Sequence, residues 1–189
     1  MSAQPSLTLA GRTVPVPPTV RRARLTDVKQ IWEIVGTYAA RGTMLPRTTA
    51  DIAARIDNYV VAADESGRVL ACAALEEYSP SLGEVSSVAV VPAEHGKGIG
   101  TQLVRGIERL ARLRDIEELF ALSLTDNFFL SRGYEPTTVS RYPEKLVRYD
   151  TLTSSGIDIV PKPCFNKRLD AAWPAPQLMP DAEQERMVG

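Results

Sequence analysis

Between residues 88 and 103 the chain reads VAVVPAEHGKGIGTQL: an apolar strand runs through Pro92 into a turn holding Gly96, Gly98 and Gly100, and then into a helix. Glycine lacks Cβ, so the backbone can turn tightly and approach a ligand closely. The start of the following helix directs unpaired N–H groups and the positive end of its dipole to the same place. Together these features predict an anion cradle for a phosphate or pyrophosphate. His95, Gly96, Lys97, Gly98, Ile99, Gly100 and Thr101 form its candidate wall. A Walker loop needs G-x-x-x-x-G-K-[ST] and the dinucleotide fingerprint needs G-x-G-x-x-G; the alternate-position glycines fit neither.

Other side chains could do chemistry near that cradle. Glu84 opens the strand that leads to it and is the candidate general base, acting directly or through water. Glu76 and Glu77, at the end of a neighbouring strand, are weaker candidates. Ser123, at the end of its strand, could face a substrate. Cys72 sits in an apolar strand and reads as a small buried hydrophobe, not a nucleophile. Nothing orients His95 as its base. Trp32 and Phe120 read as core.

Composition sets the frame. The 189 residues are 44% hydrophobic and 24% charged, with a net charge of −1, as expected of one soluble globular domain. That charge gives no sign of a nucleic-acid or anionic-membrane surface. No apolar run approaches the roughly 18 residues of a membrane span, and the N-terminus lacks a leader pattern. Two cysteines and one histidine give no metal spacing and no disulfide framework, so a cytoplasmic protein without metal is expected. Residues 1–18, with four prolines, read as a flexible arm, and 171–189 as a flexible acidic, proline-containing tail.

The patterning between them predicts strands at 20–24, 59–63, 69–75, 84–91, 118–124, 134–139 and 164–169. Helices are predicted from Thr26, with Asp27 in the first turn, and from Thr48 or Thr49 through Ile56. A third, beginning at Ile99, keeps Leu103, Ile107 and Leu110 inside and Arg105, Glu108, Arg109 and Arg112 largely outside. A short helix follows at 127–132. Interspersed strands and helices give an α/β or α+β layer architecture.

The V-x-V-x-P-x-x-x-G-x-G-x-G pattern and this element order resemble the GNAT superfamily of N-acetyltransferases over about residues 20–169. The implied fold is a mixed, mostly antiparallel sheet, splayed at the acetyl-CoA site, with helices on both faces; residues 19–170 would form that domain. His95 stands where members usually carry Arg or Gln. The strings Val20-Arg21-Arg22-Ala23-Arg24, Gly83-Glu84-Val85-Ser86-Ser87-Val88-Ala89-Val90 and Phe128-Phe129-Leu130-Ser131-Arg132-Gly133-Tyr134 are similar to short actinobacterial-type amino-acid N-acetyltransferases, which make N-acetylglutamate. The chain has no room for the kinase-like domain of longer synthases.

The resemblance implies direct attack of an amine on acetyl-CoA. Ser87, Val88, Ala89 and Val90 would pair with the pantetheine arm and donate to the thioester carbonyl, Val88 acting in catalysis through its backbone. Phe129 stands beside the cofactor where many members place an acidic Tyr, leaving thiolate protonation to solvent or to another tyrosine such as Tyr149. Arg47, Ser123, Asn166 and Lys167 would bind the amino acid. The implied reaction acetylates L-glutamate, or L-glutamine, at the start of arginine synthesis, with no nucleic-acid or membrane partner and with room for a homodimer. Two alternatives are acetylation of another amine (a protein N-terminus, a polyamine, an antibiotic) and an acyl-CoA-binding sensor without turnover.

Overall fold

Chain order alternates strands with short helices in the structure, a computed structural model that describes residues 6–9 and 12–169. Within the segment read as an arm, β1 (Ser6–Leu9) and β2 (Arg12–Pro15) pair as a separate two-stranded antiparallel sheet. The segment 171–189 lies outside the described residues. The main sheet begins with β3 (Thr19–Arg22), followed by α1 (Val28–Ala39), α2 (Thr49–Ala54), β4 (Tyr59–Ala63), β5 (Val69–Ser79) and β6 (Leu82–Val90). Then come α3 (Ile99–Arg112), β7 (Glu118–Leu122), α4 (Asp126–Leu130), β8 (Glu135–Thr137), α5 (Pro143–Ser154) and β9 (Cys164–Arg168). Seven strands lie in the order β3-β4-β5-β6-β7-β9-β8, and only β6 and β7 run parallel among neighbours. This is the mixed, mostly antiparallel sheet that the resemblance implies.

Strand alternation divides the core between two faces. Val60, Ala71, Ala73, Leu75 and Leu119 meet Leu103 and Ile107 of α3. Val61, Cys72, Ala74 and Ala89 meet Ile31 and Val35 of α1 and Ile52 of α2. On that second face, at the far end of the sheet, Phe120 and Cys164 pack with Tyr142 just ahead of α5, the Phe120 and Tyr142 rings stacked at 4.1 Å.

Several local expectations change. Thr26 does not cap α1: residues Leu25–Asp27 form a 3-10 turn, and the buried Asp27 accepts from Arg24 N (2.8 Å) and from Arg21 (2.7 and 3.0 Å). Burial pushes the Asp27 carboxyl up, but the Arg21 and Arg24 contacts outweigh it and hold the group below its ordinary value. Thr48 does cap α2, accepting from Asp51 N at 3.0 Å. Trp32 is 44% exposed because the buried stripe of α1 runs through Ile31, Ile34 and Val35. Glu108 is buried, since Lys167 of β9 neutralises it at 2.9 Å. The largest omission is α5, where the sequence pattern showed no helix.

Among the described residues no helix is long and apolar enough to cross a membrane, and no group of three or more His, Cys, Asp or Glu could hold a metal.

Gly106 marks the closest approach of α3 to the sheet: a Cβ there would lie 2.8 Å from Val60 Cγ1 and 3.3 Å from Val20 Cγ1. Both neighbours are β-branched and stiff at χ1. Overpacking of about 1–3 kcal/mol outweighs the helix-propensity gain of up to about 1 kcal/mol, so Gly106→Ala lowers the urea midpoint; an unchanged or higher midpoint would refute this.

Candidate active site

The opening in the sheet arises at β6. Its pairing with β7 covers Leu82↔Glu118, Gly83↔Leu119 and Glu84↔Phe120 and then stops. The β7-facing edge of residues 85–90 therefore presents backbone N–H and C=O groups to any extended chain that enters the gap. On the other edge, the register with β5 passes from Ala74↔Ser86 to Cys72↔Ala89. Ser87 and Val88 together oppose Ala73 in a β-bulge, which re-aims the backbone there. Ser87 has φ of 51°, a left-handed conformation that costs a non-glycine residue of order 1–3 kcal/mol and clusters at functional sites.

The cradle follows directly. A 3-10 turn over Pro92–Glu94 leads to Gly96 and Gly98, both at φ of 78°, and Gly98 is the N-cap of α3. No side chain caps this helix start, which leaves its first-turn N–H groups to a ligand. The His95 ring turns back onto β6: Nε2 lies 2.8 Å from Tyr38 Oη and 2.9 Å from Val90 O, and Tyr38 Oη also donates to Val90 O at 2.5 Å. Its side chain braces the loop. Lys97 pairs with Glu94 at 3.0 Å. Thr101 Oγ1 accepts from Arg132, whose guanidinium lies 3.7 Å from the Phe128 ring centroid. Gly100 packs flat on Phe128, where a Cβ would meet the ring at 3.1 Å.

On the α1 and α5 face of the sheet, a cleft of about 520 Å³ opens beside the bulge. Its walls are the loop after α1, residues 84–88, the end of β7 and the segment that links α5 to β9. Glu76 and Glu84 are a cross-strand pair, an arrangement of like charges that needs neutralising. One turn of α5 does so. Lys145 Nζ donates to Glu84 Oε1 (3.0 Å) and Oε2 (2.8 Å), and Arg148 lies 2.5 Å from Glu76 Oε1.

Glu84 also accepts from Tyr78 Oη at 2.9 Å; both Glu84 and Lys145 are buried. Glu76 further receives Arg47 (3.4 Å) and Arg55. Burial pushes the Glu76 carboxyl up, but the Arg148 hydrogen bond and the charges of Arg148, Arg47 and Arg55 hold it below its ordinary value. Three guanidiniums thus hold Glu76 in its charged form. It is an anchor for Arg47.

Arg47, Glu84, Ser87, Val88, Ser123 and Phe129 meet in this cleft. Ser123 receives Thr125 N at 3.0 Å, and Phe129 is buried against Tyr134 and Phe165. Asn166 and Lys167 do not line it. Neighbours on one strand face opposite ways: Asn166 donates to Glu118 (3.2 Å), whereas Lys167 lies on the α3 face with Glu108 and the Arg132 carbonyl. The sequence reading missed Lys145, Arg148 and Lys162. A cation at positions 145 and 148 opposite Glu84 and Glu76 could be found only once α5 was known to cross those strands. Cys72 is fully buried, and burial pushes its thiol up to about 12, so it is not a nucleophile.

A sheet edge opened next to a phosphate cradle is built to hold a carrier of the coenzyme A type, and the residues present fit that carrier: uncapped helix amides for its diphosphate, an unpaired strand edge for its arm. The chain belongs to the acetyltransferase (GNAT) family, whose model matches residues 28–134, and is an acetyl-CoA-dependent N-acetyltransferase. An uncharacterized N-acetyltransferase, CT2212, from Chlorobaculum tepidum is 36% identical over 129 residues, 68% of this chain and 83% of the relative. The amino-acid acetyltransferase of Mycobacterium tuberculosis is 32% identical over 149 residues, 75% of this chain and 85% of the relative.

Among solved structures, Rv2747 from M. tuberculosis in complex with CoA and NLQ superposes with a TM-score of 0.70 at 28% identity, covering 81% of this chain and all of that one. N-acetylglutamate synthase from Neisseria gonorrhoeae with coenzyme A and N-acetyl-glutamate gives 0.71 at 26% identity, covering 84% of this chain and 36% of that one.

Two substitutions test this construction. Lys145→Met leaves a buried carboxylate without its counter-charge and destabilises the fold by about 3–5 kcal/mol; pairing it with Glu84→Gln recovers most of that loss in denaturant unfolding. Gly98→Val forces a β-branched residue to positive φ at the helix start, so the affinity for CoA in a titration falls while the β6 edge is untouched. Wild-type affinity would remove Gly98 from the cradle.

Proposed function

We propose that the protein transfers the acetyl group of acetyl-CoA to the α-amine of L-glutamate, or of L-glutamine, as the opening acetylation of arginine biosynthesis in the cytoplasm. The observation that carries this reading is Arg47. It lines the cleft beside the bulge, and its sole hydrogen bond among the described residues is the 3.4 Å contact from Nη2 to Glu76. Most of its fork is thereby free for a carboxylate. Its relatives named as amino-acid acetyltransferases point to the same acceptor class.

The pantetheine arm lies along residues 87–90, with Val88 N–H aimed at the thioester carbonyl as negative charge develops there. His95, Gly96, Lys97, Gly98, Ile99, Gly100 and Thr101 surround the diphosphate. Glu84 takes the ammonium proton, directly or through water, and the amine attacks the carbonyl carbon. The tetrahedral adduct loses its second N–H proton to solvent and collapses as the carbon–sulfur bond breaks, giving the N-acetyl amino acid and the thiolate. Burial and the Glu84 charge push the Tyr149 phenol up to about 12. The thiolate takes its final proton from solvent or from this phenol. Ser123 borders the acceptor. Asn166 and Lys167 stay outside its pocket.

Thiol release from acetyl-CoA, measured with a panel of amino acids and polyamines, tests the reading. Turnover with glutamate or glutamine supports it; turnover only with an unrelated amine overturns the acceptor, and tight CoA binding without any turnover identifies an acyl-CoA sensor. Arg47→Ala raises the glutamate KM by about 10- to 100-fold, the effect of losing a charge-assisted contact of about 1.5–3 kcal/mol, and leaves CoA affinity near normal. An unchanged glutamate KM excludes Arg47.

A further inference from the structure

The cations of the acceptor cleft are not equivalent. Lys145 is neutralised by Glu84, and Arg47 touches Glu76. Lys162, on the segment between α5 and β9, also lines the cleft, yet it forms no ion pair among the described residues. Its ammonium makes one hydrogen bond, to the backbone carbonyl of Thr43 at 2.7 Å. An ammonium has three donors, so two remain for a ligand. The group is half-buried, and a partly desolvated charge without a counter-charge is unfavourable. Burial and the nearby Lys145 charge both hold the Lys162 pKa below its ordinary value, against the attraction of Glu84. The position is therefore short of an anion, and it lines the same cleft as the Glu84–Lys145 pair.

The hydrogen bond to Thr43 has a second consequence. It ties the 157–162 wall across to the 42–47 loop that carries Arg47. Two cations with free donors, Arg47 and Lys162, thus lie on two lining segments that this bond joins. One is a planar fork, suited to the α-carboxylate common to all amino acids. The other is a point charge.

We propose that Lys162 binds the side-chain carboxylate of the acceptor and makes the enzyme select a dicarboxylic amino acid over its amide. This rests on the acceptor reading given above. Glutamate presents two anionic oxygens to the free ammonium donors and supplies the missing counter-charge, whereas glutamine presents one neutral acceptor and leaves the half-buried ammonium without one.

The experiment is steady-state kinetics of full-length wild type and Lys162→Met with saturating acetyl-CoA, using glutamate and glutamine in parallel, together with the thermal midpoint of each protein. Methionine keeps the stem volume and removes both the charge and the Thr43 bond. The expected result is a loss of about 10- to 100-fold in kcat/KM for glutamate, mostly in KM, with a change of at most about 3-fold for glutamine. Lys162→Arg, which keeps the charge, should recover part of the glutamate preference. Equal losses for both acceptors would show that Lys162 acts only as a clasp through Thr43, and no loss for either would show that it faces solvent; both outcomes overturn the proposal. If Lys162→Met is too unstable to assay, Lys162→Arg and Lys162→Gln decide by the same ratio. Failure of the wild type to acetylate either amino acid is a different result: it overturns the acceptor reading, and the role of Lys162 falls with it.

Discussion

Everything at the site depends on β6 being held firmly by β5 while it loses β7 after Glu84. A strand paired on both edges has no amide to offer, and a strand paired on neither has no fixed shape. Pairing on one side gives an edge that is rigid and still unsatisfied, which is the condition for binding an extended arm by backbone alone. The bulge at Ser87 and Val88 adds a local change of direction, and β5 supplies the rigidity that keeps Ser87 in its left-handed conformation. The same strand then delivers the chain to the glycine turn and α3, so the open β6 edge and the uncapped helix start are set by one continuous stretch of backbone.

The acceptor side is organised differently. There the structure relies on charge placed across a sheet: Glu76 and Glu84 from neighbouring strands, Lys145 and Arg148 from one turn of α5, Arg47 and Arg55 from either end of α2. Buried ion pairs of this kind add little net stability, but they penalise any arrangement that separates them. Their effect is to fix where α5 sits. Around Phe120, Tyr142 and Cys164 only a small apolar cluster helps, so α5 is positioned more by electrostatics than by hydrophobic contact.

That contrast explains what could be read from the sequence. The seven strands of the main sheet, α2 with its Thr48 cap, α3 and the glycine turn follow from apolar period, caps and turn residues, and they lie close to where patterning puts them. The donor half of the site is made of backbone and glycine, so its signal is local. Helix α5 buries Lys145 in place of an apolar stripe, and no periodicity announces it. Glu108 and Asp27 are charged residues inside the fold for the same reason: their counter-charges, Lys167 and Arg21, come from other elements. Asn166 and Lys167 show a further limit. A motif can name a strand, but strand alternation allows only one of two neighbours to face a given pocket, and register decides which.

The family match ends at residue 134, whereas Lys145, Arg148, Tyr149 and Lys162 all come later. The cleft therefore draws its walls from both portions of the chain, Arg47 and Ser123 before that limit and Lys145 and Lys162 after it, whereas the glycine turn lies wholly before it. Point changes in the later portion can retarget such a catalyst to a new amine without disturbing the backbone that activates the donor, which makes this stretch the natural place for a lineage to diversify, or an engineer to begin.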